Sequence, residues 1–520
     1  MIKNKRSYIA LCVLVLCFSL SQLTTQLDIN EVDISGINFE EIHTSTLYYD
    51  ILIDDLTPNN WTWAKNQGYC TGTGTENDPF TFYNHIFEYN NGTGYSIAIM
   101  NSRKYFKFEQ CIMRYAPNSS AGLYLYNTTN GVFQDNDFYE NSVGLIINEC
   151  SNTTFTFDGW NHISDNHEGI IVNNSNNLHF ECVFDQYTAV LSLLISNNEN
   201  TGLLVLNSNY NTFSDLWILD NGGNGVILNY SHYNRIKDIL LSNNQENGIT
   251  LFLCHDNNIT SSLDLGYTIH QSVIEGNDMS GVNMVMSSNN RILDVEFGHN
   301  RIAEIYLEDS SNNTIERNSE HYKDYLYETF SGIMIDSSNY NKITENNFDT
   351  DNYGLFLLLS SYNEIIGNTF SNNNGSGMAI YSSFYNSIYN NKLESNQKHG
   401  IEVISSLFNN VYDNKVNGNS GSGIFLEYCQ FNRIFKNVAT SNSIGIQLSS
   451  SNENTIVGNS LLRNGQCIAE INCEDNIIID NECSEKIDII FILFVSGLGL
   501  SIAANVILFV FLLRKRRREA

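Results

Sequence analysis

Proline is scarce in this chain, and its absence from most of the sequence limits the possible folds. Only three prolines occur among 520 residues, at Pro58, Pro79 and Pro117. Proline lacks the N–H group that a strand donates to its neighbour, so sheets confine it to edges and bulges. The sequence after Pro117 can therefore form uninterrupted sheet.

Positive charge is also scarce. Lysine and arginine number 27 against 57 aspartates and glutamates, which gives a formal net charge of −30. Charged residues make up only 16% of the chain, and asparagine amides supply much of its polarity. Because an acidic chain repels the phosphate backbone of nucleic acids, we predict no nucleic-acid partner. The composition is typical of a folded body rather than of a disordered one.

Charged residues are absent from one long segment near the C-terminus, between Ile489 and Leu513. A helix of this length spans the hydrocarbon core of a bilayer, which is about 30 Å thick, so we predict a transmembrane helix over residues 487–513. The basic residues that follow predict a cytoplasmic tail over residues 514–520, because positive segments stay inside.

The N-terminus has the layout of a signal peptide over residues 1–26, with a basic start, an apolar stretch from Tyr8 to about Leu20 and polar residues after it. An uncleaved N-terminal anchor is the alternative. Residues 27–60 are predicted to cap the body that follows. The two terminal predictions together place this body outside the cell, held at the cell membrane by a single C-terminal pass.

The feature that the sequence has in abundance is a repeat. A Gly-apolar-x-apolar phrase recurs mostly every 22 or 23 residues, and Glu304 and Cys467 take the glycine place in two further units. With the glycine place counted as zero, apolar residues fall at plus one, three, eleven and usually sixteen, as in Ile333, Ile335 and Ile343. Asparagine occupies plus nine in twelve consecutive units, at Asn211, Asn234, Asn257, Asn290, Asn313, Asn341, Asn363, Asn386, Asn409, Asn432, Asn454 and Asn476.

This periodicity predicts a solenoid in which each unit is one coil with three short strands. Strands of successive coils would pair in parallel about 4.8 Å apart, so that equivalent residues lie above one another. Stacked asparagine amides would then bond to each other and to the turns. Glycine at place zero is expected to provide a positive φ in a turn.

In this repeat, and in the entry segment from Trp61 to Phe80, the chain resembles the right-handed parallel β-helix repeat proteins. That family includes the copper-binding NosD type and the carbohydrate-binding and sugar-hydrolase domains. We therefore predict an all-β, right-handed parallel β-helix over residues 61–485, with three strands in each coil of about 22–23 residues. The resemblance implies no single function, since enzymes, adhesins and spikes share this fold.

Nine of the 11 cysteines follow the signal peptide. Four of them occupy plus six, where most units carry serine, and are predicted to be small interior residues: Cys150, Cys254, Cys429 and Cys473. An oxidising exterior permits disulfides. The open alternatives are a bridge among Cys467, Cys473 and Cys483, or one between Cys70 and Cys111.

Three units are longer than the rest, and loops on a rigid scaffold often carry function. We expect the extra residues to form loops near residues 185–200 and 318–330. The candidate catalytic residues, for general acid and base chemistry, are Glu320 and His321 in the last loop with Asp349 and Asp351 in the following coil. A plain solvated loop is the alternative.

Aromatic residues occupy plus eight in five consecutive units, at Tyr340, Tyr362, Tyr385, Phe408 and Phe431. Rings repeated along an exterior edge could stack on successive sugars of a polysaccharide, or on each other. They are the candidate ligand-binding residues.

His232 and His255 are both at plus seven in adjacent units, which would place two imidazoles within reach of one metal ion. No third ligand accompanies them, so we predict no metal site and no cofactor, and the NosD resemblance brings no copper site with it.

The carboxylate constellation of polysaccharide-degrading β-helices is missing from the sequence. We therefore favour a non-catalytic, membrane-anchored cell-surface protein that binds carbohydrate or an envelope partner. The alternative is a polysaccharide lyase, hydrolase or epimerase that uses the loop carboxylates, and a NosD-like metal-handling protein is third.

Overall fold

The chain winds through three parallel sheets, which we call sheet A, sheet B and sheet C. The computed structural model describes residues 45–92, 94–117, 119–182, 193–262, 271–320, 329–349 and 351–485. Within them each strand pairs with the third strand before it and the third after it, always in parallel, as β33 does with β30 and β36. The predicted coil of three strands is confirmed, and the solenoid is right-handed with about 16 turns.

The strands are numbered in chain order. Sheet A contains β1 (Thr46–Tyr49), β4 (His85–Glu88), β7 (Ile112–Arg114), β10 (Asp137–Tyr139), β13 (Asn161–Ser164), β16 (Leu193–Ser196), β19 (Trp217–Leu219), β22 (Leu240–Ser242), β25 (Val273–Glu275), β28 (Glu296–Gly298), β31 (Ser319–Glu320), β34 (Asn347–Asp349), β37 (Thr369–Ser371), β40 (Lys392–Glu394), β43 (Lys415–Asn417), β46 (Val438–Thr440), β49 (Ser460–Asn464) and β52 (Glu482–Glu485). Sheet B contains β2 (Ile51–Asp54), β5 (Tyr95–Met100), β8 (Ala121–Tyr126), β11 (Val143–Asn148), β14 (Glu168–Asn173), β17 (Leu203–Leu206), β20 (Val226–Asn229), β23 (Ile249–Phe252), β26 (Val282–Val285), β29 (Ala303–Glu308), β32 (Ser331–Asp336), β35 (Tyr353–Leu358), β38 (Met378–Tyr381), β41 (Ile401–Ile404), β44 (Ser422–Glu427), β47 (Ile444–Ser449) and β50 (Gln466–Ile471). Sheet C contains β3 (Phe80–Tyr83), β6 (Phe106–Glu109), β9 (Gly131–Gln134), β12 (Ser151–Asp158), β15 (Asn176–Cys182), β18 (Thr212–Ser214), β21 (Arg235–Lys237), β24 (Asn258–Thr260), β27 (Arg291–Leu293), β30 (Thr314–Glu316), β33 (Lys342–Thr344), β36 (Glu364–Ile366), β39 (Ser387–Tyr389), β42 (Asn410–Tyr412), β45 (Arg433–Phe435), β48 (Thr455–Val457) and β51 (Ile477–Ile479).

The core lies inside the coils, where the three sheets face each other. In one representative coil Ile333, Ile335, Ile343 and Phe348 are all fully buried. These are the plus one, three, eleven and sixteen places, so the interior predicted from the repeat is confirmed. Because alternate residues of a strand point to opposite faces, the residues between them face outward.

The asparagine ladder at plus nine is confirmed. The backbone N–H of Asn409 donates to Oδ1 of Asn432 at 2.9 Å, and Asn409 Nδ2 donates to the carbonyl oxygen of Ser383 at 2.9 Å. These bonds satisfy turn groups that would otherwise be buried and unpaired.

Two further asparagine ladders, which the sequence analysis did not predict, follow the other two corners of the coil. One contains Asn318, Asn346, Asn368, Asn391, Asn414, Asn437, Asn459 and Asn481. The second has two runs, of which the first is Asn141, Asn166, Asn198, Asn221, Asn244, Asn277 and Asn300. Its second run is Asn373, Asn396, Asn419, Asn442 and Asn464.

The role predicted for glycine at place zero is wrong. These glycines do not have positive φ; at Gly225 an added Cβ would lie 2.7 Å from the carbonyl oxygen of Gly248 and 2.9 Å from Asn244 Nδ2. Glycine is needed there because the next coil and the asparagine ladder leave no room for a side chain. Positive φ occurs instead at other residue types, including Tyr385 at plus eight, with φ of 57°.

The first coil begins earlier than residue 61, where the sequence analysis started the β-helix. Strands β1 and β2, within the predicted cap of residues 27–60, already pair with β4 and β5. A short helix, α1 (Trp61–Asn66), follows them, and the side chain of Asn60 caps its N-terminus. Trp61 of this helix is buried and stacks on Phe80 at 4.6 Å, which anchors the helix to the core.

A disulfide joins Cys467 and Cys483 in the last described coil, which confirms one of the predicted pairings. Cys150, Cys254 and Cys429 are buried in the serine ladder as predicted. Cys473 is only half-buried, because no described coil follows its own to cover it.

Among the described residues no helix is long and apolar enough to cross a membrane. The predicted signal peptide and the predicted transmembrane segment 487–513 lie outside the described residues. The three long units contain the stretches 183–192, 263–270 and 321–328, which also lie outside them. The coils on either side of each stretch remain in register, as Asn258 and Arg291 do in sheet C.

Candidate functional site

Two of the four predicted catalytic residues meet in the structure, beside a third carboxylate that sequence reasoning noted only as a glycine replacement. Glu304, Glu320 and Asp351 each place one carboxylate oxygen within 4.8 Å of the other two. Glu304 and Asp351 are 0% exposed. Asp349 contributes its backbone, whose N–H donates to Glu320 Oε2 at 3.0 Å. His321 lies outside the described residues.

This carboxylate cluster is held by the scaffold. Thr329 Oγ1 donates to Glu304 Oε1 at 3.2 Å, and Asn300 Nδ2 donates to Glu304 Oε2. The cluster occupies the break between the two runs of the third asparagine ladder, where Asp351 stands in the asparagine place. The sequence has no asparagine between Asn318 and Asn339, so the coil of Glu304 supplies no member to this ladder.

Three carboxylates this close cannot all stay ionised without a nearby cation or shared protons. An all-oxygen set suits a hard cation such as Ca²⁺, and these three residues are the ones of the described chain that could hold a metal.

A second polar network surrounds Glu402, which is 1% exposed on the outer face of sheet B. Ser376 Oγ donates to Glu402 Oε2 at 2.6 Å, while Tyr381 OH and Lys398 Nζ donate to Oε1 at 3.1 and 2.7 Å. Burial raises the pKa of Tyr381, so its hydroxyl stays protonated as a donor. Both carboxylate oxygens accept hydrogen bonds within this network, so the network joins neighbouring coils.

The predicted aromatic residues stack on each other. From Tyr340 through Phe431 each successive pair of ring centroids is 5.0 Å apart, with ring planes within 8° of parallel. A sugar ring cannot enter between rings in direct contact, so the inner ring faces are unavailable. The rings remain 39–58% exposed through their edges. We call Tyr340, Tyr362, Tyr385, Phe408 and Phe431 the aromatic edge.

The two histidines are adjacent, as predicted, but their rings stack with centroids 3.6 Å apart. His232 Nδ1 accepts the backbone N–H of His255 at 3.1 Å, and His255 Nδ1 bonds to Asp256 at 2.8 Å. Burial, with His255 beside it, lowers the pKa of His232. One nitrogen of each ring is therefore hydrogen-bonded, and the two ring faces cover each other. This arrangement does not direct nitrogens of both rings towards one metal ion.

The largest feature that sequence reasoning missed is a row of side chains on the outer face of sheet C. We call it the docking row: His179, Thr212, Arg235, Asn258, Arg291, Thr314 and Lys342. Each is the direct strand neighbour of the next. The four basic members are exposed and the three between them are half-buried. All stand at plus ten, so aligning the units on that place would have revealed the row.

The docking row begins in a groove of about 510 Å³. The residues that line it are Glu76, Tyr105, Asn130, Gly131, Val132, Asn152, Thr153, Thr154, Thr156, Asn177, His179 and Glu181. Hydroxyls, amides and carboxylates dominate this lining. The aromatic edge lies on the same border of sheet C but in later coils, and it begins at Tyr340 in the coil where the docking row ends at Lys342.

Two family models match the sequence. The one described as a right-handed β-helix region matches residues 326–461, and the one described as a periplasmic copper-binding protein (NosD) matches residues 122–263 and 262–375. Among curated proteins none matches significantly.

Several solved structures are similar in fold. The A-module of mannuronan C-5 epimerase AlgE6 from Azotobacter vinelandii is 11% identical, with a TM-score of 0.37 over 76% of this chain and 91% of that chain. Tailspike protein 3 of bacteriophage CBA120 is 12% identical, with a TM-score of 0.28 over 82% of this chain and 59% of that one. Alginate lyase AlyF-OU02 is 12% identical, with a TM-score of 0.30 over 65% and 81%. The repeat, its three sheets and the two matching families together show that the chain belongs to the right-handed β-helix repeat proteins and is NosD-like.

Proposed function

We propose that this chain is a membrane-anchored cell-surface protein whose solenoid binds polysaccharide without cleaving it. The observation that carries the proposal is the docking row, a straight line along sheet C in which exposed basic side chains alternate with half-buried polar ones. Strand neighbours are about 4.8 Å apart, which is close to the length of one sugar unit in an extended chain. A rigid sheet presents these groups already in place, so little ordering entropy opposes binding.

Aromatic residues at plus eight support the same face. The aromatic edge meets the docking row only in the coil that holds Tyr340 and Lys342, but Tyr210 and Tyr233 lie along the row itself. Their rings stack at 4.8 Å and keep exposed edges, which offer apolar contact to the C–H groups of a sugar.

Binding fits the structure better than cleavage does. In the one cluster of three acidic groups within the described ranges, Glu304 and Asp351 are buried, and Glu304 accepts hydrogen bonds from Thr329 and Asn300 of the scaffold. Glu402 has both oxygens engaged by Ser376, Tyr381 and Lys398. Neither group faces the docking row.

A surface location is supported by the disulfide between Cys467 and Cys483, because disulfides persist in oxidising compartments outside the cytosol. The predicted signal peptide over residues 1–26 and the predicted membrane helix over residues 487–513 would place the solenoid outside the cell.

Size-exclusion chromatography of the full-length chain with fluorescently labelled neutral and acidic polysaccharides tests the proposal. We expect labelled glycan of unchanged length to elute with the protein. Substitution of Arg235→Gln together with Arg291→Gln should reduce the co-eluting fraction. Shorter glycan products, or no co-elution with any polysaccharide, would contradict the proposal.

A second candidate function is favoured by one observation, the convergence of Glu304, Glu320 and Asp351. A polysaccharide-modifying enzyme could use such a cluster to hold a cation or to move a proton. Glycan products that appear with the native chain and disappear in the Glu304→Gln variant would select this candidate.

A further inference from the structure

The basic members of the docking row are not scattered along it. They occupy every second strand, at His179, Arg235, Arg291 and Lys342, and the strands between them carry Thr212, Asn258 and Thr314. Alternate strands of a sheet are about 10 Å apart, so the basic side chains repeat at that spacing, and the fixed positive charges among them are Arg235, Arg291 and Lys342. The next residue in the row is Glu364, beside Lys342, which ends the positive segment.

The charges are available to a ligand to different degrees. Arg235 and Lys342 are exposed and have no ion pair within the part of the chain that the structure describes. Arg291 pairs with Glu316 at 2.6 Å, and the same glutamate accepts from Arg317 at 2.6 Å. These arginines hold the pKa of Glu316 below its ordinary value. No carboxylate stands in the row itself between His179 and Lys342.

This positive line is exceptional because the chain as a whole has a net charge of −30. An anionic ligand would be repelled from most of such a surface and attracted only where cations gather. The surrounding acidity therefore favours this line over most of the surface for an anionic ligand.

We infer that the ligand of the docking row is an acidic polysaccharide, an extended β-linked chain that carries uronate carboxylates. This inference rests on the proposed polysaccharide binding and names its substrate class. In an extended β-1,4-linked chain successive units face opposite sides, so the carboxylates on one side recur every second unit. That recurrence matches the every-second-strand recurrence of the cations.

The intervening residues fit the same ligand. Thr212, Asn258 and Thr314 place hydroxyl or amide groups at the sugars between two carboxylates, where the ligand offers hydroxyl groups. The guanidinium groups of Arg235 and Arg291 bind carboxylates through two parallel hydrogen bonds, which is the strong mode of such contacts. Lys342 would add a point charge at the end of the line.

The test compares two oligosaccharides of equal length that differ only in charge. One is an oligomer of β-1,4-linked glucuronic acid, and the other is the same oligomer with its carboxyl groups reduced to hydroxymethyl groups. Calorimetric titration of the full-length chain should show at least roughly tenfold tighter binding of the acidic oligomer at low salt. The difference should shrink as salt is added, because mobile ions screen exposed charges.

The matched variants remove two positive charges each. Arg235→Gln with Lys342→Gln acts on the docking row, whereas Lys392→Gln with Lys415→Gln removes two exposed lysines from neighbouring strands of sheet A. The first pair should weaken binding of the acidic oligomer roughly tenfold or more, and the second less than about twofold. Circular dichroism of each variant checks that the solenoid remains folded, and Arg235→Lys, which keeps the charge but loses the paired hydrogen bonds, should bind more weakly than the native chain and more tightly than Arg235→Gln.

The possible outcomes are distinct. Equal binding of the acidic and reduced oligomers, unaffected by the row variants, would overturn the acidic class and leave polysaccharide binding standing. Absence of binding by both oligomers would overturn the acidic class, and the proposed function would be overturned as well if no other polysaccharide co-elutes with the chain. Equal affinity for single-stranded DNA through the same row would overturn the assignment to polysaccharide.

Discussion

Asn386 and Asn409 are 23 residues apart in sequence, yet the backbone N–H and the Nδ2 of Asn386 both donate to Oδ1 of Asn409, at 2.9 and 3.0 Å. Replacement of Asn386 by alanine leaves the backbone N–H of Asn363 and the carbonyl of Ser360 without their partners. Each unsatisfied buried group is costly, so we expect Asn386→Ala to lower the free energy of unfolding by about 2–3 kcal/mol. Urea denaturation measures the loss.

The control is the preceding residue. Tyr385 has a φ of 57° and stacks on its neighbours at 5.0 Å. In Tyr385→Gly the lost stacking is offset by relief of the left-handed backbone, each worth about 1 kcal/mol. This variant should therefore be nearly neutral. If the two variants lowered the free energy of unfolding equally, the asparagine ladder would not be the main interaction between coils.

Gly225 and Gly418 test two different reasons for which a position requires glycine, namely lack of space and a positive φ. Gly225→Ala places a Cβ 2.7 Å from a backbone oxygen of the next coil and should cost about 3 kcal/mol. Gly418 has a φ of +65° and no atom within 4 Å of its added Cβ. Gly418→Ala should cost only about 1 kcal/mol, and Gly418→Asn less, because asparagine tolerates this backbone. Thermal unfolding of the three variants gives the order, and a reversed order contradicts the packing role.

The repeat predicted the coil, its interior and the plus-nine ladder, because Asn211 and the asparagines that follow it keep a constant distance from an apolar residue. The ladder from Asn318 to Asn481 was equally readable, because its members stand at plus fourteen in every unit. The other ladder was harder to predict, since insertions shift members such as Asn198 and Asn277 away from a fixed place. The role of glycine at place zero was predicted wrongly because a requirement for positive φ and a requirement for space both select glycine, and the sequence does not distinguish them.

The candidate site was predicted in part. Glu320 and Asp351 were identified, but their contact with Glu304 depends on the alignment of two successive coils across an insertion. The docking row was readable in principle. Arg235, Arg291 and Lys342 share one place in the repeat, and the prediction of coils in register would have placed them in a line.

The cysteines should differ in reactivity. Burial raises the pKa of the Cys254 and Cys429 thiols to about 11, so few thiolates exist at pH 8. Cys473 is a free, half-buried thiol in the last described coil. We expect iodoacetamide at pH 8 to modify Cys473 first, with Cys254 and Cys429 modified only after unfolding, as read by mass spectrometry of peptides. Early modification of Cys254 would contradict its interior position.

Acid should destabilise the coils around His399. Burial lowers the pKa of His399, whose Nδ1 accepts the backbone N–H of Ser422 at 3.0 Å. Because the folded-state pKa lies below the ordinary 6.5, this stabilising contribution is present above pH 6.5 and is lost as the pH falls through the folded-state pKa. The temperature at the midpoint of unfolding should therefore decrease as the pH is lowered from 7.5 to 5.

The matched variant is His399→Asn, which keeps a side-chain acceptor but cannot take up a proton. It should show a weaker dependence of the unfolding midpoint on pH than the native chain. An identical pH dependence in the two proteins would assign the acid sensitivity to other groups.

Covalent capture of the bound ligand tests the central claim most directly. A β-1,4-linked glucuronic acid oligomer with some carboxyl groups converted to reactive esters would form amide bonds with the lysines it touches, and peptide mass spectrometry would locate them. The account predicts attachment at Lys342 and Lys237 on sheet C, little attachment at Lys392 and Lys415 on sheet A, and recovered oligomer of unchanged length. Equal attachment on the two sheets, or recovery of shortened oligomer, would contradict it.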